Sequence, residues 1–517
     1  MQTSSKAPAY IFGVKYVQGI ALDHLWVLTI LGLAALFISV LPLPPNDLWW
    51  HMAAGRTMVD EGAWLQTNRW AYTLPYDAPY VYQSWLSEVL LYWLWRIGDV
   101  PLLVLMRTLV IAASYGLVAW HALRRTGQGK AVALALLFAV LIGWNNWTLR
   151  PQTLALLPGA AFVVVLDAFL IRRASARWLA ALPLLMVAWV NLHGSFILGA
   201  ALLALAWVGL VVSALRKRAG AVGDEWQRAR SCTLVGIATL LATMAHPLGI
   251  GVFPYVRDLL TDTPSQTRIV EWQPPSNALS LTNTGFWFFL LVLLLPMLLG
   301  TGRRRASAID LLWYAALAWL TIGGVRYAMW FALAVLPFFA DQLAALFRER
   351  RPMPTSSIFT TTFGVLFAAM FVATLPWFGP GRYLGPEAER LFANAGPHRM
   401  LLSNTTPVAA TSWLKQNPID GRFWVDMSYS SYTIWELPEK QVFADLRVDL
   451  FPDAIWDDYF AIARGDQRSI ALIDKWQITH LMIDVGGQSE LRTLLAQTPG
   501  WCEPYHDTHS VIVARCE

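Results

Sequence analysis

The chemistry this sequence can perform rests on a few ionisable residues spread over its first 330 positions: Asp47, His51, Glu88, Arg150, His193, His246, Glu271 and Arg326. A carboxylate can take the proton from an attacking hydroxyl. An arginine can grip a phosphate through two parallel N–H groups. Each residue stands beside an apolar stretch, in Pro44-Pro45-Asn46-Asp47-Leu48-Trp49-Trp50-His51, Trp85-Leu86-Ser87-Glu88, Arg150-Pro151-Gln152, Asn191-Leu192-His193-Gly194, His246-Pro247, Glu271-Trp272 and Gly323-Gly324-Val325-Arg326. Ionisable groups at membrane depth are costly unless paired or hydrated, which favours a functional reading. Together they describe a hydrated cavity, rich in Arg and His with a few carboxylates, suited to a phosphorylated or otherwise anionic lipid-linked substrate. Each also has a plainer role. Asp47 can cap the helix that follows it, and His51 can merely share that helix's face. Arg150 and Arg326 can anchor at the interface, His193 can pack at a helix end, Glu271 can sit in a loop, and Glu88 can cap or snorkel.

The elements that must position these groups are membrane spans. Of 517 residues, 56% are hydrophobic and 14% charged, against about 25% charged in soluble domains. Disorder, collagen and coiled coil are excluded by the same figures. Apolar stretches of about 20 residues cross the bilayer core. They fall near 25–43, 101–120, 131–147, 153–171, 178–191, 195–214, 231–245, 284–301, 309–323, 327–346 and 357–376, so about 11 transmembrane helices are expected. The stretch 84–97 is Trp-rich and short, and reads as a helix lying in the interface. Basic clusters at Arg124-Arg125 with Lys130, at Arg172-Arg173 with Arg177, at Arg216-Lys217-Arg218, at Arg303-Arg304-Arg305 and at Arg348 with Arg350-Arg351 alternate with the sites above. By the positive-inside rule these loops are cytoplasmic. The amino terminus is then inside, and the eight groups and the tail are outside. The first 23 residues show no cleavable signal, because the apolar run after them is long enough to span. A bacterial source would place the chain in the inner (cytoplasmic) membrane with a periplasmic or extracellular tail.

Residues 1–376 carry net charge +11 and residues 377–517 net −6. The basic excess sits in short loops and says nothing of nucleic acid, and none is expected as a partner. The expected division is a transmembrane domain, 1–376, with a long first external loop, 44–100, and an extracytoplasmic α/β domain, 377–517. From about Arg382 onward, β-like runs (Phe423–Asp426, Gln441–Ala444, His480–Asp484) alternate with helix-like ones (Pro407–Gln416, Asp453–Arg464, Gln467–Trp476, Ser489–Gln497). Asp445, Arg447 and Asp449 recur at period two and would share one face of a strand. A closing hairpin, Trp501–Tyr505 with Ser510–Arg515, would bring Cys502 opposite Cys516, where an exported chain can form a disulfide.

These features resemble the GT-C superfamily of integral membrane glycosyltransferases, and in particular a largely uncharacterised bacterial branch. The resemblance is carried by Asp47-Leu48-Trp49-Trp50-His51 with Gly55, Trp85-Leu86-Ser87-Glu88, Arg150-Pro151-Gln152, Asn191-Leu192-His193-Gly194, Glu271-Trp272 and Arg326. In the tail, Tyr432-Thr433-Ile434-Trp435 and Val442-Phe443-Ala444-Asp445-Leu446-Arg447 extend it over nearly the whole chain. It implies a polytopic α-helical fold that transfers a sugar from a polyprenyl-phosphate donor to a glycan, lipid or protein acceptor of the cell envelope. Asp47 would be general base or acceptor-orienting group, and His51, Glu88, Arg150, His193, His246, Glu271 and Arg326 would bind substrate. Many members follow this Asp directly with Glu. Here Leu48 follows, so the acid pair is absent. Some branches use a divalent cation, and Asp47, His51 and Glu88 neither demand nor exclude one.

Two other functions fit the residues. An oligosaccharide ligase or polymerase would share the lipid-phosphate donor and transfer glycans en bloc. A non-catalytic GT-C-like scaffold, working with partners in a membrane complex, would explain the missing Glu. A transporter is disfavoured, because no inverted repeat is visible and the charged groups gather at one face rather than the midplane.

Overall fold

The computed structural model describes residues 10–11, 14–15, 22–216, 222–347, 357–378, 398 and 400–516, and every apolar stretch expected to span lies on a helix. Helix α1 (Leu22–Val40) stops before Pro42, which cannot continue it. After α1, α2 (Leu48–Glu61) is followed by α3 (Trp85–Thr126). The short Trp-rich stretch and the span after it meet in this element as two helices across a kink, separate as expected. It breaks direction at Gly98 and at Asp99, whose φ of 53° is left-handed. Then come α4 (Gly129–Gly143), α5 (Pro151–Leu170), α6 (Ala181–Leu192), α7 (Phe196–Arg216) and α8 (Val222–Thr243). The short helices α9 (Val252–Thr261) and α10 (Thr263–Arg268) precede α11 (Thr284–Gly300), α12 (Ala308–Gly323), α13 (Ala328–Ala344) and α14 (Ser357–Ala373).

Among the described residues, five helices are long and apolar enough to cross a membrane, and five more are apolar but shorter. Helix α8 meets neither standard because Asp224, Glu225, Arg228 and Arg230 fill its first half. Lys217, Arg218, Arg348, Arg350 and Arg351, expected in cytoplasmic loops, lie outside the described residues, as do Arg382 and most of the first 23 positions. Helix α13 is the axis of the bundle and packs on α3 and α4. At the end opposite the candidate site, Arg125 of α3 grips Asp167 of α5 and Asp310 of α12, tying three helices together.

The tail holds α15 (Val408–Gln416), β1 (Arg422–Val425), α16 (Met427–Glu436), α17 (Asp453–Arg464), α18 (Ser469–Lys475), β2 (Ile478–Asp484), α19 (Ser489–Gln497), β3 (Trp501–His506) and β4 (Ser510–Arg515). The sheet runs β1-β2-β4-β3, with β1 parallel to β2 and the other pairs antiparallel. The terminal hairpin forms and Cys502 is bonded to Cys516.

One expected strand does not form. Gln441–Ala444 makes only single bridges at Val442, to Ala71 and Phe423, because the chain must turn inward there rather than run along a sheet edge. Asp445 and Arg447 therefore do not share a strand face. They form a fully buried ion pair at 2.6 Å, and Arg447 also reaches Tyr82 and Asn68 of the loop between α2 and α3. The tail is sewn to that loop elsewhere too. Leu43 exchanges backbone hydrogen bonds with Leu401 and Ser403, and α16 packs on α2. One hydrophobic core runs without interruption from the membrane helices to Tyr429, Ile434 and Trp435.

Candidate active site

Helix α2 presents its first turn to one end of the bundle. Asp47 precedes it with helical φ and ψ and its carboxylate makes no capping bond, while Asn46 Oδ1 accepts the Leu48 N–H. One turn on, His51 Nδ1 lies 2.8 Å from Glu88 Oε1. The next turn of the same face is Gly55, where a Cβ would stand 2.0 Å from the Glu88 carbonyl oxygen. Only glycine permits this approach, and it is what brings α3 close enough for Glu88 to meet His51.

Arg150 is extended because Pro151 follows it, and it caps α5. Its Nη2 donates to both Glu271 oxygens, at 2.6 and 2.7 Å, while Nη1 stands 3.7 Å from Asp47 Oδ2. Glu271 sits in a 3-10 turn that is joined to the turn before α13 by a Val325 N–H to Gln273 carbonyl bond. That junction sets the Arg326 guanidinium over the Trp272 ring, 4.1 Å from its centroid. At the end of α6, His193 Nδ1 accepts the Ser195 backbone N–H, which leaves its proton on Nε2.

Seven of the eight expected residues line one cavity of ≈180 Å³: Asp47, His51, Glu88, Arg150, His193, Glu271 and Arg326. His246 does not. Its Nδ1 accepts from Leu248 N–H and its Nε2 donates to the Gln83 carbonyl, so it stands behind the wall and fixes Gln83, which does line the cavity. A neighbouring cavity of ≈110 Å³ shares His193, Arg326 and Trp272. The lining also includes Tyr80, Tyr82 and Tyr255, with Arg447 and Asp449 from the tail. The sequence signal for these was weak: tyrosines blend into a Trp- and Tyr-rich loop, and Asp449 was read onto a strand.

Burial raises the Asp47 carboxyl above its ordinary range, against the pull of Arg150 and with help from Glu271. For Glu271 burial acts in the same sense, but Arg150 and then Arg326 outweigh it and hold this acid low. Burial pushes Glu88 well up, and burial followed by the charges of His193 and Arg150 pushes His51 well down. His193 is pushed down to about 3 by burial, then by Arg326 and Arg150, and stays a neutral donor. Asp449 is pushed up to about 6, mainly by burial.

A divalent cation does not fit this arrangement. Among the described residues no group of three or more His, Cys, Asp or Glu side chains is placed to hold a metal. Asp47 and Glu271 instead share a guanidinium.

The fold is similar to those of solved GT-C glycosyltransferases. Among solved structures, the chain resembles ArnT from Cupriavidus metallidurans in the apo state at 17% identity and a TM-score of 0.53, covering 95% of this chain and 98% of that one. ArnT bound to undecaprenyl phosphate gives 16% and 0.50 over the same shares. The archaeal oligosaccharyltransferase AglB from Archaeoglobus fulgidus, in complex with an inhibitory peptide and a dolichol-phosphate, gives 13% and 0.51, covering 96% of this chain and 75% of that one. No protein-family model matches the sequence, and no curated protein matches it.

Proposed function

We propose that the protein is a membrane glycosyltransferase that takes a sugar from a polyprenyl-phosphate donor on the outer face and passes it to a cell-envelope glycan, lipid or protein. The observation that carries this reading is the meeting of Asp47, Arg150, His193 and Arg326 in one cavity at the external ends of the spans. The lipid phosphates bound by ArnT and AglB support it.

Arg326 is the anion-binding group. Arg150 is already neutralised by Glu271, and Arg447 by Asp445. Arg326 has the Trp272 ring beneath it, and among the described residues no carboxylate within 4 Å. The neutral His193 offers its Nε2–H to a phosphate oxygen on the same side. In the transfer, the acceptor oxygen attacks the anomeric carbon and its proton passes to Asp47. The bond from that carbon to the phosphate oxygen breaks, and the electron pair leaves with the lipid phosphate. Donors aimed at the charge developing there lower the barrier, and a placed base contributes about 10²–10⁴-fold. The cavity's ≈180 Å³, on the scale of a single sugar, favours monosaccharide transfer over ligation of a glycan en bloc.

In this reading the amino terminus is cytoplasmic, the body 1–376 holds the donor, and the tail 377–517 roofs the site with Arg447 and Asp449. Purified protein in lipid nanodiscs, given a radiolabelled undecaprenyl-phosphate sugar and envelope lipids, tests it. Asp47→Asn should lose transfer while remaining folded; full activity would overturn the assignment.

A further inference from the structure

A second space lies across one wall from the candidate active site. It is an open groove of ≈1130 Å³, against ≈180 Å³ for the cavity, formed by the last turns of α2, the loop after it, the start of β1 and the segment 438–441. Trp70 lines the groove, and Arg447, which lines the cavity, sets its guanidinium 4.9 Å from the centroid of that ring. Helix α2 serves both spaces, with His51 at the cavity and Arg56, Asp60 and Glu61 at the groove. Arg56 follows His51 by a rise of about 8 Å along the helix.

Three arginines meet in the groove, each with its flat face on an aromatic ring. Arg56 is 4.4 Å from the Trp435 centroid, Arg69 is 4.9 Å from that of Tyr76, and Arg422 is 5.3 Å from that of Tyr72. Stacking fixes a guanidinium and leaves its N–H edge for a planar anion. Arg56 and Arg422 each spend one terminal nitrogen on a backbone carbonyl, of Trp435 and Trp476, and among the described residues neither has a carboxylate within 4 Å. Arg69 is paired with Glu61 at 3.2 Å. Its Nε and the Tyr72 hydroxyl, both closed off from water, have no hydrogen-bond partner among the described residues, a cost that an incoming acceptor oxygen would remove. With Lys440 the lining holds four cations against Asp60, Glu61 and Glu439, although the tail as a whole carries net −6. Tyr76 is 55% exposed, a flat face on which the C–H side of a sugar ring can pack.

We propose that this groove is a second carbohydrate site, which takes an acidic oligosaccharide with its carboxylates on Arg56 and Arg422 and its rings against Tyr76. A chain that carries a flat-faced ring and a carboxylate in every unit matches a wall that pairs ring with guanidinium three times. The groove has room for several sugars where the cavity has room for one. As the place where the acceptor's remote sugars are held it rests on the glycosyltransferase reading; as a binding site it does not.

Fluorescence anisotropy of labelled hexamers of galacturonate and of mannuronate, with the full-length protein in nanodiscs of zwitterionic lipid and no donor present, tests the site. Both should bind saturably, and binding should weaken as salt is added. Neutral maltohexaose should bind roughly tenfold more weakly, and Arg56→Gln combined with Arg422→Gln should weaken the acidic probes by roughly tenfold, because each part-exposed ion pair contributes several-fold. Arg422→Gln alone alters an exposed side chain, should cost several-fold, and serves if the double variant does not fold. Arg326→Gln should bind both probes like the parent, because they do not sit in the cavity. No saturable binding of either uronate hexamer at millimolar concentration, equal binding of maltohexaose, or a loss on Arg326→Gln that matches the loss on Arg422→Gln would each overturn the proposal while leaving the transfer reading standing. Full transfer by Asp47→Asn, by contrast, would count against that reading and leave the binding result untouched.

Discussion

Arg150 holds Glu271 through both carboxylate oxygens with one terminal nitrogen and turns the other toward Asp47, 3.7 Å away. Glu271 lies 121 residues from Arg150 in sequence, and the one guanidinium keeps Asp47 and Glu271 in register. Replacing Arg150 with Ala leaves two acids facing a cavity without their cation. A fully buried pair loses about 3–5 kcal/mol when one partner is removed. Here both acids are 32% exposed, so the loss should be about 2 kcal/mol, seen as a lowered melting temperature together with loss of transfer. Arg150→Lys should fail in activity as well, because a point charge cannot hold the two-pronged contact.

The His51–Glu88 pair separates two electrostatic pictures. If it is neutral, Glu88→Gln preserves the bond, since an amide N–H replaces the acid proton at His51 Nδ1. Its cost should stay under about 1 kcal/mol. An ionic pair would lose several times that on the same substitution. Thermal unfolding of the single variant distinguishes them.

Removing the Arg326 charge should act on donor recognition. A hydrogen bond to a charged partner contributes about 1.5–3 kcal/mol, so Arg326→Gln should lower kcat/KM for the lipid-linked sugar by roughly 10- to 100-fold. Trp272→Leu, which removes the ring under the guanidinium, should give a smaller loss in the same parameter. Neither should alter the Arg150–Glu271 contact.

Asp449 makes stability depend on pH in an unusual sense for an acid. Its folded value, about 6, lies above the ordinary carboxylate value, so the folded protein binds its proton more tightly than the unfolded chain does. This group's cost is therefore full above pH 6 and disappears as pH falls below about 4, a change of about 2–3 kcal/mol. Asp449→Asn should raise the melting temperature at pH 7.5 and leave it unchanged at pH 4. Identical curves for parent and variant would contradict the assignment.

The helices were legible because a span announces itself by composition alone, and the order of ionisable residues at their ends named seven of the cavity's lining groups in advance. His246 went astray because a histidine beside a proline turn looks the same in sequence whether its ring faces a cavity or props a backbone carbonyl. The tail was read element by element, and its hairpin and disulfide emerged from alternation and cysteine spacing. Helix α16 was overlooked, since Met427–Glu436 is rich in Ser, Tyr and Thr and has no clear apolar period. Its packing on α2 and the Ser431 Oγ that accepts the Trp50 N–H depend on contacts across nearly 400 positions, which no local pattern records. The same holds for Arg447: its period-two spacing with Asp445 suggested a strand, and the long-range pull of Tyr82 and Asn68 folded it inward instead.

The account stands or falls on where a lipid phosphate sits. A cryo-EM map of the protein in nanodiscs with undecaprenyl phosphate should show the phosphate within hydrogen-bond reach of Arg326 and His193, in the cavity that Asp47 lines. Phosphate density at another face, or a cavity at Asp47 filled by side chains and closed to the headgroup, would contradict it.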